Sequence, residues 1–103
     1  MSVVVITKFP GARVDKLEEV AFGRYEETMK RIAEDARSKG AIHHLFADDG
    51  DGNVLVIDEW RSLEDFERFF SAQEDGRSVI EQVGITGQPT SIEYRILDTS
   101  DRF

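Results

Sequence analysis

Apolar and β-branched residues fall into short runs, and longer stretches of helical period separate them. Val3 to Phe9 is one such run and reads as a strand buried on both faces. Pro10-Gly11 ends it. Asp15 then offers an N-cap, with Glu18 as its capping-box partner. Leu17, Val20, Ala21, Tyr25, Thr28, Met29, Ile32 and Ala36 recur at helical spacing, and most of the charges lie between them. The spacing predicts a long amphipathic helix with one buried stripe, stopped by Gly40. Gly23 weakens that helix by about 1 kcal/mol relative to Ala; a close packing neighbour would account for it.

Ala41 to Ala47 reads as a second strand, Asp48 to Asn53 as a polar turn and Asn53 to Trp60 as a third strand, which makes an antiparallel hairpin. Ser62 with Asp65 forms a capping box, and Leu63, Phe66, Phe69 and Phe70 give the following helix its buried face. Gly76 breaks it, and Val79, Ile80 and Val83 suggest a further short helical stretch before Gly84. Gly87-Gln-Pro89 is a loop. Ser91 to Leu97 is a fourth strand, in which Ile92, Tyr94 and Ile96 alternate with Glu93 and Arg95. Tyr94 is expected on the helix side, and Asp98 to Phe103 as a loose tail.

The order β-α-β-β-α-β predicts an α+β fold of ferredoxin-like type, with an antiparallel sheet and a single domain over residues 1–103. The helices cover one sheet face. The other is left with Val4 or Val5, Leu45 or Phe46, Leu55 or Val56, and Trp60, a set too apolar to face water. A second copy of the same sheet is the simplest cover. The expectation is a homodimer whose two sheets face each other and enclose a cavity.

Composition narrows the partners. A net charge of −8 repels nucleic acid and anionic lipid, so neither is expected. The chain has no Cys, which excludes disulfides, a thiol nucleophile and thiolate metal sites. The apolar run Val3 to Ile6 is too short for a signal core or a membrane span, so a cytoplasmic location is expected.

His43 and His44, the only two histidines, are adjacent. On a strand they point to opposite faces and cannot share a metal, so no metal site is expected. In one hairpin register His44 meets Asp58 and shares a face with Phe46, Val56 and Trp60; in the register one residue away His43 meets Asp58. The first is the preferred reading, with His44 on the face turned toward the cavity between the two sheets. A His beside a carboxylate in an apolar pocket is suited to general-base work near neutral pH, for example on a phenol or hydroquinone. The same pair can instead simply satisfy itself within a sheet. Asp58 and Glu59, at a strand end, can equally cap or pair with Arg61 or Arg95.

Asp49, Asp51 and Asn53 have the spacing of the first calcium-loop ligands. However, Val54 stands where that loop needs Gly, and Trp60 where it needs Glu, so the run reads as a hairpin turn. No phosphate-cradling loop or dinucleotide fingerprint is present; Gly84-Ile-Thr-Gly87 follows a helix rather than a strand.

His44-Leu-Phe46, Val54-Leu-Val-Ile-Asp-Glu-Trp60, Phe66-Glu-Arg-Phe-Phe70 and Val83-Gly-Ile-Thr-Gly-Gln-Pro89 together resemble the antibiotic biosynthesis monooxygenase-like domains of the dimeric α/β barrel superfamily. The resemblance runs from Val3 to about Leu97. It implies a homodimer, with an apolar pocket in each subunit between sheet and helices. It also implies oxygenation of quinone or polyketide-like substrates without metal or flavin. In the relatives the Trp that matches Trp60 lines the pocket; with the His–carboxylate pairing read above, His44 is the expected base, Asp58 its orienter, and Trp60, Phe46, Val56 and Arg95 the expected substrate contacts. Haem-degrading relatives carry an Asn on the first strand and a proximal His after the Trp. Here Ser2 to Phe9 lacks Asn and the His position is Phe70, so haem degradation is not expected. The run Leu63 to Gln73 also lacks the His that many relatives place there. The expected function is cofactor-independent oxygenation of a small aromatic, quinol or polyketide-like molecule. The alternatives are a non-catalytic ligand-binding or structural homodimer and a cofactorless isomerase or lyase.

Overall fold

A computed structural model describes residues 1–103. Strand β1 (Val3–Pro10) leads through the short helix α1 (Val14–Lys16) into a π-helical segment (Leu17–Arg24) and helix α2 (Glu26–Ser38). Strands β2 (Ala41–Asp48) and β3 (Asn53–Trp60) form the hairpin. Helices α3 (Leu63–Ala72) and α4 (Glu74–Glu81) follow, and strand β4 (Thr90–Arg95) completes an antiparallel four-stranded sheet of order β2-β3-β1-β4. This is the ferredoxin-like arrangement. No helix is long and apolar enough to cross a membrane.

The helices cover one face of the sheet. Val3, Val5, Thr7 and Phe9 of β1 are buried beneath them, with Val54 and Trp60 of β3. One core cluster joins Phe9 and Val54 to Leu17, Val20, Ala21 and Val83; a second joins Val3, Val5 and Ala41 to Trp60 and Phe66. The buried Thr7 hydroxyl is satisfied across the strands by Ser91 at 2.9 Å, and no buried side-chain nitrogen or oxygen lacks a partner. The Ser62 hydroxyl caps α3 by accepting from the Asp65 N–H at 3.1 Å. Gly40 turns the chain from α2 into β2 at φ 125, where a Cβ would meet the Asp65 carboxylate at 2.7 Å.

The other face carries the opposite phase of each strand. Leu45 pairs with Ile57, Ile57 with Ile6, and Ile6 with Ile92, so one apolar row crosses all four strands in register. Leu45, Ile92 and Tyr94 are each half or more exposed in the single chain.

Several expectations are corrected. Trp60 lies on the helix side, 1% exposed, because Val3 opposite it is already inward and paired residues share a face. Val5, Phe46 and Val56 share that side, which leaves Val4, Leu45 and Leu55 on the open face. Val3 to Phe9 is therefore buried on one face rather than two. Tyr94 pairs with Val4 and faces away from the helices; β4 is an edge strand with every residue exposed. The helix starts at Val14 without a side-chain cap, because the Asp15 carboxylate instead pairs with Arg13 at 2.6 Å. The tail is tied down: Arg102 donates to Glu59 at 2.8 Å.

Candidate functional site

The hairpin register sets the chemistry. Ala41 pairs with Trp60, but His43 pairs with Glu59, so a bulge at Ile42 shifts the phase of β2. From there His44 opposes Asp58, as expected, and Phe46 opposes Val56, but all four lie on the helix side and not on the face that a second sheet would cover. His43 is sent to the open face, where Glu59 holds its Nδ1 at 2.8 Å.

His44 Nδ1 lies 2.6 Å from Asp58 Oδ1. Against a carboxylate Nδ1 carries the proton, and in the neutral ring Nε2 then holds the lone pair. The His44 side chain is 41% exposed while that of Asp58 is only 14% exposed. The carboxylate is thus fixed in the wall and the imidazole reaches outward from it. The indole N–H of Trp60 donates to Asp58 Oδ2 at 3.5 Å. An aromatic row continues from the imidazole. Phe46 stands edge-on to His44 with centroids 5.3 Å apart, and Phe22 stands edge-on to Phe46 at 5.2 Å.

The structure thus brings together His44, Asp58, Phe46 and Val56. Trp60 joins them through Asp58 and not as an exposed platform, because Phe66 and Phe69 pack over its ring at 5.9 and 5.3 Å. Arg95 is not brought to this group. It lies on β4 and His44 on β2, the opposite edges of the sheet, roughly 14 Å apart at about 4.8 Å per strand. Arg95 instead lines a groove with Ser62, Leu63 and Glu67 at the start of α3. A second groove lies between Ala12–Asp15 and the hairpin loop. Asp58 and Glu59 take the two histidines, with Glu59 also holding Arg102, and neither pairs with Arg61 or Arg95.

No group of three or more His, Asp or Glu side chains converges to hold a metal ion. In the hairpin loop the Asp49 carboxylate is occupied by the Asn53 side chain at 2.7 Å and by the backbone N–H groups of Asp51 and Asn53. The Asn53 side chain is the main cause that holds the Asp49 pKa below its ordinary value, with the Asp51 N–H next. Phe22 was not legible as a site residue, because it falls off the apolar stripe of a regular α-helix. Its one signal is its position beside Gly23.

No family model matches the chain, and no curated protein matches it in sequence. Solved structures share its fold along nearly the whole length. One is the monooxygenase from the ActVA-Orf6 gene of Streptomyces coelicolor in complex with nanaomycin D, 18% identical, with TM-score 0.67 over 95% of this chain and 93% of that one. Another is SnoaB, a cofactor-independent oxygenase from Streptomyces nogalater, 17% identical, with TM-score 0.61 over 98% of both chains. A dimeric ferredoxin-like protein from an uncultured marine organism aligns with TM-score 0.67 at 9% identity, over 99% of this chain and 93% of that one. The expected resemblance to antibiotic biosynthesis monooxygenases is therefore met at the level of fold.

Proposed function

We propose that this chain is a cofactor-independent monooxygenase of the antibiotic-biosynthesis type, working as a homodimer on a planar phenol whose para position carries hydrogen. The His44–Asp58 pair carries the reading. With Nδ1–H given to the carboxylate, Nε2 takes the phenolic proton, and Asp58 stabilises the imidazolium that results. The phenolate is electron-rich enough to pass an electron to dioxygen. Oxygen then joins the ring carbon para to the phenolate, and loss of water from the hydroperoxide leaves a quinone. One phenol with a para C–H and one dioxygen give one quinone and one water, so no external reductant is consumed. Phe46 and Phe22 supply the apolar aromatic surface that a planar ring prefers.

The fold shared with an oxygenase that holds nanaomycin D and with a cofactor-independent oxygenase supports this chemistry. The apolar row Leu45–Ile57–Ile6–Ile92 supports dimerisation through the open face, as does the fold shared with a dimeric ferredoxin-like protein. The test is oxygen uptake by the purified protein with 1-naphthol, whose C4 para to the hydroxyl carries hydrogen. The expected result is dioxygen consumed in equal amount to naphthoquinone formed. A naphthol-induced rise in melting temperature without oxygen uptake would replace the enzyme with a ligand-binding dimer.

A further inference from the structure

We propose that Phe22 is the specificity-determining lid of the His44 site, held in place by the π-helical register of Leu17–Arg24. The inference rests on the oxygenase reading for the position of the ligand, and extends it to the choice among ligands.

The geometry begins with the backbone. In an α-helix, at 3.6 residues per turn, five residues carry Phe22 about 140° round from Leu17. In a π-helix, closed by i→i+5 bonds at about 4.4 residues per turn, the same five residues bring it back to about 50°. Leu17 is buried in the core beneath this segment, so only the wider register keeps Phe22 on the sheet side. The register is marked by the Tyr25 N–H, which donates to the Val20 carbonyl at 2.9 Å. Gly23 permits it: a Cβ there would lie 3.2 Å from the Glu18 carbonyl, five residues back.

The π register sets Phe22 edge-on against Phe46, and Phe46 against His44. Yet Phe22 remains 41% exposed, so nothing else in the chain packs it shut. On the oxygenase reading, a ligand whose hydroxyl meets His44 Nε2 and whose rings follow the aromatic row past Phe46 meets Phe22 at its second fused ring. A single-ring phenol stops short of Phe22. A fused-ring phenol must displace it, and relaxation of Leu17–Arg24 toward α-helix turns the ring off the sheet by about 90°. The π segment is thus a two-position element, and ligand size selects between the positions.

The test is anaerobic titration of wild type, Phe22→Ala, Phe22→Trp and Gly23→Ala with phenol, naphthol and anthrol, read by the fluorescence of Trp60. Trp60 is the only Trp and its indole N–H meets Asp58, so it reports binding without turnover. Phe22→Ala is expected to lower the ratio of the anthrol Kd to the phenol Kd by about tenfold, the scale of one pocket-filling group, and Phe22→Trp to raise it. Gly23→Ala leaves Phe22 in the chain but crowds the Glu18 carbonyl, and is expected to shift the ratio in the same direction as Phe22→Ala. An unchanged ratio in both Phe22→Ala and Gly23→Ala overturns the lid. Failure of wild type and every variant to bind any of the three phenols overturns the site itself, and the lid with it.

Discussion

The Asp58 carboxylate holds Nδ1 of His44 at 2.6 Å, leaving Nε2 as the free nitrogen of a ring that reaches out from the sheet. A His held in this way is oriented and its tautomer is fixed, which are the two services a carboxylate gives a general base. Asp58→Asn replaces the acceptor with a group that can offer an N–H and favour the wrong tautomer. Turnover of naphthol is expected to fall roughly 100-fold or more, followed by steady-state oxygen uptake. A rate within about threefold of wild type would show that the pair is only a sheet contact.

Trp60 is 1% exposed between Phe66 and Phe69, so its first role is in the core. Trp60→Ala is expected to cost about 3–5 kcal/mol, measured by urea denaturation followed by circular dichroism. Trp60→Phe keeps most of the packing and removes the N–H from Asp58, so it should cost much less stability. An alanine variant as stable as wild type would contradict the burial.

Ile57 stands in the middle of the apolar row, paired with Leu45 on one side and Ile6 on the other. An unpaired carboxylate there cannot be desolvated against a second sheet. Sedimentation at micromolar concentration is expected to give a dimer for wild type and a folded monomer for Ile57→Asp. A monomeric wild type would remove the homodimer.

Asp49 is a group whose pH dependence has a definite sign. Hydrogen bonds from the Asn53 side chain and then the Asp51 N–H lower its pKa from 3.8. A carboxylate lowered in the folded state contributes stability that is complete above the unfolded value and is lost as pH falls through the folded value. Asp49→Asn should therefore flatten the acid limb of the melting-temperature profile below about pH 4 while leaving the neutral region nearly level. An unchanged acid limb would contradict the assignment.

The order of elements was legible because each carries its own period and its own stop: alternation in the strands, the Ser62 cap before Phe66, and Gly40 at the end of a long stripe. Phase was less legible. Alternation shows that Val4 and Val5 face opposite ways but not which way is inward, so the pattern alone does not place Trp60 and Tyr94 on their correct sides. The two histidines depend on one residue: without the bulge at Ile42, straight alternation from the buried Ala41 would turn His43 toward the helices. Phe22 was hidden for a related reason, since its direction is set by a π register that 3.6-residue spacing does not anticipate.

The two adjacent histidines supply the most direct test, because they differ mainly in the face they occupy. His44→Ala and His43→Ala are compared with wild type for oxygen uptake and quinone formation from naphthol. The expected result is loss of turnover in His44→Ala with the melting temperature nearly unchanged, and turnover retained in His43→Ala. Full activity in His44→Ala, or loss confined to His43→Ala, would contradict the assignment of the base.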